Sequence, residues 1–457
     1  MTSFSDLFAW ELADLLRNKT ASATEVVSHF LERASADEYG AFISITGESA
    51  LRKAKEIDQA RSAGNQLPPY AGVPIAIKDL TPIAGEVTTF GSQIMANYVP
   101  DRTAYVAELL FGAGFVNIGK TNTPEFGLSS YTDNSLVGPA CAPADKNLNA
   151  GGSSGGAAVA VARKLVPLAQ ASDGGGSIRI PASCCSVFGF KPSRGRVSAG
   201  PSGSDVSGLT IDGPITRSVK DAAIFMDAVA KPMPGDVRPL PIPRVSFEHA
   251  LEQRTKPLRI ARWSKPYLDG ITTSADAIAA WEHASKILES HGHEIVDIEN
   301  PFPAELEEQF NVVWSTAIAG VEFPPDAEEL LLRNTRYWRA RGQQTSGIEL
   351  MNAMKFLESK TREVITSLMK FDVFLTPTLA LPPQPLHWFT APVDPKESHW
   401  RELLFTPFTA LYNMTGQPAA NLPLWTNPAG LPIGTMIATH AGQDALALQL
   451  SYQLLGQ

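Results

Sequence analysis

Residues 151–156 read GGSSGG and residues 173–177 read DGGGS, with an Ala-rich stretch between them. Glycine lets backbone N–H groups come close to a ligand and tolerates positive φ. A run of such N–H groups ending in a serine places an anion cradle beside a hydroxyl nucleophile. Each loop also has a plainer reading. GGSSGG makes a flexible turn or a helix start with Ser153 or Ser154 as N-cap, and residues 174–176 make a tight turn. The repetition across one short helix is what favours chemistry, because that helix returns the second loop close to the first. Asp173 and Arg179 flank the second loop and are placed to pin it.

A serine nucleophile needs a base. The eight histidines are His29, His249, His283, His291, His293, His387, His399 and His440, so none lies between residues 30 and 248, where both loops fall. A Ser-His-Asp triad would have to form through space. Lys78 is the better placed base, since it ends the apolar run 73–77 and is expected at a strand end near the sheet. Desolvation lowers a lysine pKa from about 10.4, by up to ~3–5 units in the extreme. A neutral lysine accepts a proton from a hydroxyl. The competing reading pairs Lys78 with adjacent Asp79 at the surface.

Two further patterns carry less. Residues 114–121 (GFVNIGKT) match G-x4-G-K-T, but that phosphate loop requires a strand before its first glycine and a long helix after its threonine. Here a helix precedes Gly114, the strand lies inside the motif, and Pro124 and Gly127 follow at once. The HxH of His291 and His293 has no carboxylate or thiolate cluster nearby, so it reads as surface polar residues rather than a metal site.

The 457 residues suffice for a large α/β domain or two smaller ones. A composition of 44% hydrophobic and 19% charged residues is that of a soluble globular protein. The net charge of −9 without a Lys/Arg-rich run argues against nucleic acid. The first residues hold Asp6, Glu11 and Asp14 in an amphipathic pattern, unlike a signal or transit peptide. No apolar run reaches the ~18 residues that a membrane span needs. Three cysteines, two of them adjacent at 184 and 185, make neither a disulfide framework nor a zinc site. A reducing cytoplasm follows as the expected compartment, with no membrane partner.

Periodicity predicts helices over 7–17, 23–34, 50–63, 104–113, 155–165, 220–230, 274–290, 348–369 and 444–455. Strands are expected at 73–77, 115–118, 168–171, 188–191, 258–261, 294–298 and 371–377, with a hairpin across 422–437. Residues 122–152 are loop-rich, and the proline-dense stretch 231–244 reads as a linker. Alternating strands and helices argue for an α/β fold with a mixed sheet.

Taken together, residues 72–79 (GVPIAIKD), 119–127 (GKTNTPEFG), 151–156 and 173–192 (DGGGSIRIPASCCSVFGFKP) strongly resemble the amidase signature family. Weaker echoes occur at 195–197, 213–214, 416–418 and 430–434. The resemblance implies one amidase-signature domain over residues 1–457: a central mixed β-sheet covered by helices on both faces. Within it, 71–217 is the signature core and 245–415 a divergent, substrate-shaping αβ region.

The family uses a Ser–cis-Ser–Lys triad. By motif position the resemblance implies Ser177 as nucleophile, Ser153 as bridging serine after a cis peptide, and Lys78 as base. The N–H groups of Gly174, Gly175, Gly176 and Ser177 would form the oxyanion hole, where one donor is typically worth ~3–4 kcal/mol. Ser154, Asp173 and Arg179 would brace the loops, and Gly127 lies on the segment that lines the acyl site. The implied activity is cofactor-independent and metal-free hydrolysis of a small-molecule amide; the assembly state stays open, with a homodimer as one candidate. Alternatives are the amidase component of a glutamine-dependent amidotransferase and an inactive amidase-fold binding protein.

The chain departs from the family pattern in places. Gly174 stands where most members have threonine. With Cys184, Cys185 and residues 191–196, it resembles the subgroup that contains 6-aminohexanoate cyclic dimer hydrolase, a bacterial hydrolase of cyclic nylon-type oligoamides. Ala142, Pro143 and Ala144 replace an Asn-Pro-Trp stretch in a loop expected to shape the substrate entrance. The chain also ends soon after its final helix, where many members continue.

Overall fold

The computed structural model describes residues 3–456 apart from 202, 204, 205, 391 and 392. Its strands are β1 (Phe42–Ile45), β2 (Pro74–Lys78), β3 (Val116–Thr121), β4 (Cys141–Ala142), β5 (Asp145–Asn149), β6 (Leu168–Asp173) and β7 (Phe188–Lys191). They continue with β8 (Ile211–Thr216), β9 (Arg259–Arg262), β10 (Glu294–Asp297), β11 (Val373–Pro377), β12 (Ala419–Thr426) and β13 (Pro432–Thr439). Eleven of them form one sheet in the order β1-β3-β2-β6-β8-β7-β12-β13-β11-β9-β10, and β4 pairs with β5. The sheet is mixed. β2 runs parallel to β3 and β6, whereas β6, β8, β7 and β12 are antiparallel neighbours. Helices pack on both faces, so the fold is the expected α/β arrangement.

The central strands are buried along nearly their whole length, without alternation, because both faces are covered. All five residues of β2 are buried, including Lys78 at its C-terminal end. Beside β2 and β6 lies the helix Gly155–Ala162, made almost wholly of Gly, Ala and Val. Small residues are required there. A Cβ on Gly156 would fall 2.3 Å from the Asn122 backbone nitrogen, so only glycine lets the helix approach that closely.

β8 is absent from the sequence-based expectation, because Gly213 and Pro214 look like turn residues. In the sheet, Gln170 on β6 pairs with Pro214, while the β7 pairing stops at Ile215. Pro214 therefore has a ladder partner on one side only, which a residue without an N–H tolerates. β1 and the helices Leu306–Ala319, Arg333–Gln343 and Pro395–Phe405 are likewise additions that periodicity does not reveal. Residues 231–244 contain no helix or strand and are mostly exposed.

Candidate active site

The parallel neighbours β2 and β6 both end at the same edge of the sheet. Lys78 closes β2 and Asp173 closes β6, and the DGGGS loop starts there. Lys78 is fully buried. Its Nζ donates to Ser153 Oγ at 2.8 Å and to Ser172 Oγ at 3.1 Å, and lies 3.4 Å from the Ser172 carbonyl. Burial pushes the Lys78 pKa down to about 7, against the opposing fields of Asp173 and Asp212. Asp79 does not pair with Lys78. It lies 3.4 Å from Lys120 Nζ and accepts from Thr89.

The two glycine loops meet. The Gly152–Ser153 peptide is cis. Ser154 N–H donates to the Ser177 carbonyl at 3.2 Å, and Ser154 Oγ donates to the Ser172 carbonyl at 3.2 Å. Ser177 is 7% exposed and lines a pocket together with Gly127 and Gly175. A Cβ on Gly127 would lie 3.3 Å from Ser153 Oγ, so Gly127 faces the Ser153 hydroxyl at close range. Among the described residues no acceptor faces the amides of Gly174, Gly175, Gly176 or Ser177.

The loop is held from behind by an ion pair with no exposed atoms. Arg179 Nε meets Asp173 Oδ2 at 2.9 Å and Nη2 meets Oδ1 at 2.8 Å. Burial alone would raise the Asp173 pKa. Arg179 outweighs it and, with Lys191 and Asn413, holds that carboxyl at about 2. Ile178 N–H adds a bond to Asp173 Oδ2 at 3.1 Å.

Several residues that sequence reading missed join here. Asn413 Nδ2 donates to the Asp173 carbonyl and to Oδ1, both at 2.9 Å, while its Oδ1 accepts from Arg179 Nη2 at 2.7 Å. Thr409 Oγ1 donates to the Gly175 carbonyl at 2.7 Å. Gln170 Oε1 accepts from the Lys78 N–H at 2.9 Å, and its Nε2 donates to Asp212 Oδ1 at 2.7 Å. Burial raises the Asp212 pKa to about 6. The echoes at 213–214 and 416–418 adjoin Asp212 and Asn413, and were the only signal for either. Ser172 had none, because its role follows from its place on β6.

The pocket is finished by helices far away in sequence. The helix Leu306–Ala319 turns Glu307, Asn311 and Trp314 onto one face, and the helix Pro395–Phe405 does the same with His399 and Glu402. Among the described residues His399 is thus the one histidine that reaches the pocket, but its polar partners are Glu307 and Asn311, both at 3.3 Å.

The other patterns resolve simply. Residues 116–121 are strand, and buried Lys120 donates to the Thr81 carbonyl at 2.7 Å and Thr88 Oγ1 at 3.0 Å, so it is committed to the core. His293 is buried rather than on the surface, because its Nδ1 accepts the Leu258 N–H at 3.1 Å. Residues 142–144 sit at the β4–β5 hairpin, and Ala142 there pairs with Asp145. Among the described residues no group of three or more His, Cys, Asp or Glu is placed to hold a metal. No helix there is long and apolar enough to cross a membrane.

The amidase family profile matches residues 25–448. The chain belongs to the amidase family. An acylamidase from Rhodococcus erythropolis is 34% identical over 450 residues, covering 97% of this chain and 94% of that protein. A glutamyl-tRNA(Gln) amidotransferase subunit from a Synechococcus strain is 33% identical over 476 residues, covering 97% and 95%. The solved structure of 6-aminohexanoate cyclic dimer hydrolase with its substrate superposes with a TM-score of 0.91 at 27% identity, covering 100% of this chain and 97% of that one. This amidase is a hydrolase acting on amide C–N bonds.

Proposed function

We propose that this amidase works through an acyl-enzyme on Ser177, with Ser153 bridging to Lys78 as base. The observation that carries the reading is the buried Lys78 amine 2.8 Å from Ser153 Oγ, its pKa lowered to about 7. Half of such amines are neutral near physiological pH, and a neutral amine takes the proton that Ser153 passes from Ser177. Ser177 Oγ then bonds to the carbonyl carbon, and the carbonyl π pair moves to oxygen. The amides of Gly174, Gly175, Gly176 and Ser177 receive that charge. Collapse breaks the C–N bond, and the relay returns the proton to the leaving nitrogen. Water attacks the ester by the same relay, which frees Ser177. The products are a carboxylate and an amine or ammonia. Asp173, Arg179 and Ser154 hold the loops in register, and Gly127 leaves room beside Ser153.

The reading needs no metal or cofactor. The eleven-stranded sheet, whose strands are drawn from residues 42 to 439, supports one domain over 1–457, with 231–244 as an excursion between the 71–217 core and the 245–415 region. The free thiols of Cys141, Cys184 and Cys185 suit a cytoplasmic enzyme. We take the substrate to be a small linear or cyclic amide, and the working form to be a homodimer without nucleic-acid or membrane partners.

The test is Ser177→Ala on a small aryl or aliphatic amide. The expected loss in kcat is at least ~10³-fold, and undiminished turnover overturns the assignment of the nucleophile. Likeness to the glutamyl-tRNA(Gln) amidotransferase protein favours a second reading, release of ammonia from glutamine for a tRNA-binding partner. Co-purification with such a partner supports it. Hydrolysis of non-glutamine amides by the isolated chain counts against it.

A further inference from the structure

The pocket in front of Ser177 carries a chemical bias that amide hydrolysis does not require. Its outer wall offers acceptors. Glu307 receives the Tyr267 hydroxyl and, at 2.9 Å, Asn311 Nδ2. Burial alone would raise the Glu307 pKa, but His399, Tyr267 and Asn311 hold it below the ordinary glutamate value, so it stands ionised. Glu402 accepts the Ser130 N–H at 2.8 Å, and burial raises its pKa.

Asn311 supplies an independent sign. Its Nδ2 is taken up by the Glu307 carboxylate and by His399 Nε2, which leaves its Oδ1 as the unpartnered atom of the amide. That Oδ1 is buried and has no partner, although Asn311 is only 4% exposed and forms part of the pocket wall. A buried acceptor left unanswered carries its full desolvation penalty, so the wall is built for a donor. The remaining wall is aromatic. Phe310 and Trp314 stack with centroids 5.4 Å apart. No lysine or arginine is among the described lining residues.

We propose that this pocket selects amides bearing a protonated primary amine, held by Glu307, Glu402 and Asn311 Oδ1 against the Phe310–Trp314 wall. The proposal rests on the reading of Ser177 as the nucleophile that the pocket serves. An ammonium brings three N–H donors and a full positive charge to two carboxyl groups and a free carbonyl. Its alkyl chain covers the aromatic faces, which also attract the cation. A linear ω-aminoacyl amide has this group, and a neutral cyclic diamide lacks it.

The experiment measures calorimetric binding of n-hexylammonium chloride and of hexan-1-ol to the intact enzyme at pH 8. The two probes share a chain and differ in the charged head. The ammonium is expected to bind at least about tenfold more tightly, which is about 1.4 kcal/mol. Glu307→Gln and Glu402→Gln are each expected to shrink that ratio at least about threefold, or roughly 0.6 kcal/mol. Asn311→Leu acts in the same direction, and carries the test if a carboxylate variant fails to fold. Equal or tighter binding of hexanol, no detectable ammonium binding, or a ratio unmoved in every folded variant overturns the proposal. Turnover of para-nitroacetanilide, which has no amine, and its loss in Ser177→Ala test the catalytic reading separately, so either idea can fail alone.

Discussion

Lys78 Nζ lies 2.8 Å from Ser153 Oγ, and its side-chain partners among the described residues are hydroxyls, not carboxylates. Asp173 and Asp212 act on it only through space. A contact ion pair would fix the ammonium as charged, whereas hydroxyl partners leave its charge to pH.

The pH profile should report that amine. Lys78 must be neutral to act as base, and burial holds its pKa at about 7. With chemistry limiting, kcat/KM is expected to rise with pH through about 7 and level off above it. Lys78→Met should lose about 10²–10⁴-fold and flatten that rise. A profile flat from pH 5 to 9 in the unsubstituted enzyme would count against Lys78.

Asp212 sets where the rise falls. Its negative field raises the Lys78 pKa against the lowering by burial. Asp212→Asn keeps an acceptor for Gln170 Nε2 and removes the charge. The ascending limb is therefore expected to move to lower pH. A shift to higher pH, measured on the same substrate, would contradict the sign.

The Asp173–Arg179 pair should govern acid stability and loop order together. Asp173 has a folded pKa of about 2 against an ordinary 3.8. Its carboxylate therefore stabilises the fold above pH 4, and that contribution is lost as pH falls from about 4 to about 2. The shift corresponds to about 2 kcal/mol. Arg179→Ala strands a buried carboxylate and is expected to cost about 3–5 kcal/mol in denaturant unfolding. Arg179→Lys should recover little of it, since an ammonium cannot make the two-point contact.

Asn413 should behave as a positioning residue. It bonds the Asp173 carbonyl, the Asp173 carboxylate and Arg179 at once, so Asn413→Ala should lower kcat more than it raises KM. Asn413→Asp sets a carboxylate against Asp173 and is expected to be worse than alanine. Better activity in the aspartate variant would refute this geometry.

Gly176 tolerates no side chain. Its φ is +136°, and a Cβ would fall 2.3 Å from Thr409 Oγ1. Gly176→Ala is expected to displace the amides of the loop and reduce kcat by about 10²–10³-fold, the range for losing one oxyanion donor. Steady-state kinetics on the folded variant measures it.

The catalytic candidates were legible because local pattern carries them. GGSSGG, DGGGS and the apolar run ending in Lys78 need backbone freedom and desolvation at fixed positions, and those needs are written in residue type. The helix Gly155–Ala162 between the loops was legible for the same reason, since its glycine and alanine residues allow close packing on the sheet. Asp212 and Ser172 were not. Each looks like an ordinary polar residue; the β2–β6 pairing brings Ser172 to Lys78, and the β6–β8 register, which pairs Ser172 with Asp212, adds Asp212.

By itself, then, the sequence determined the glycine loops, the desolvated lysine and the α/β alternation, because each depends on neighbours a few residues away. The tertiary structure decided the rest. It placed Asn413 and Thr409 behind the DGGGS loop and brought Glu307, Asn311, His399 and Glu402 to Ser177. Those contacts join residues more than a hundred positions apart. Amphipathic helices with many alternative packings do not reveal which face meets which loop until the sheet orders them.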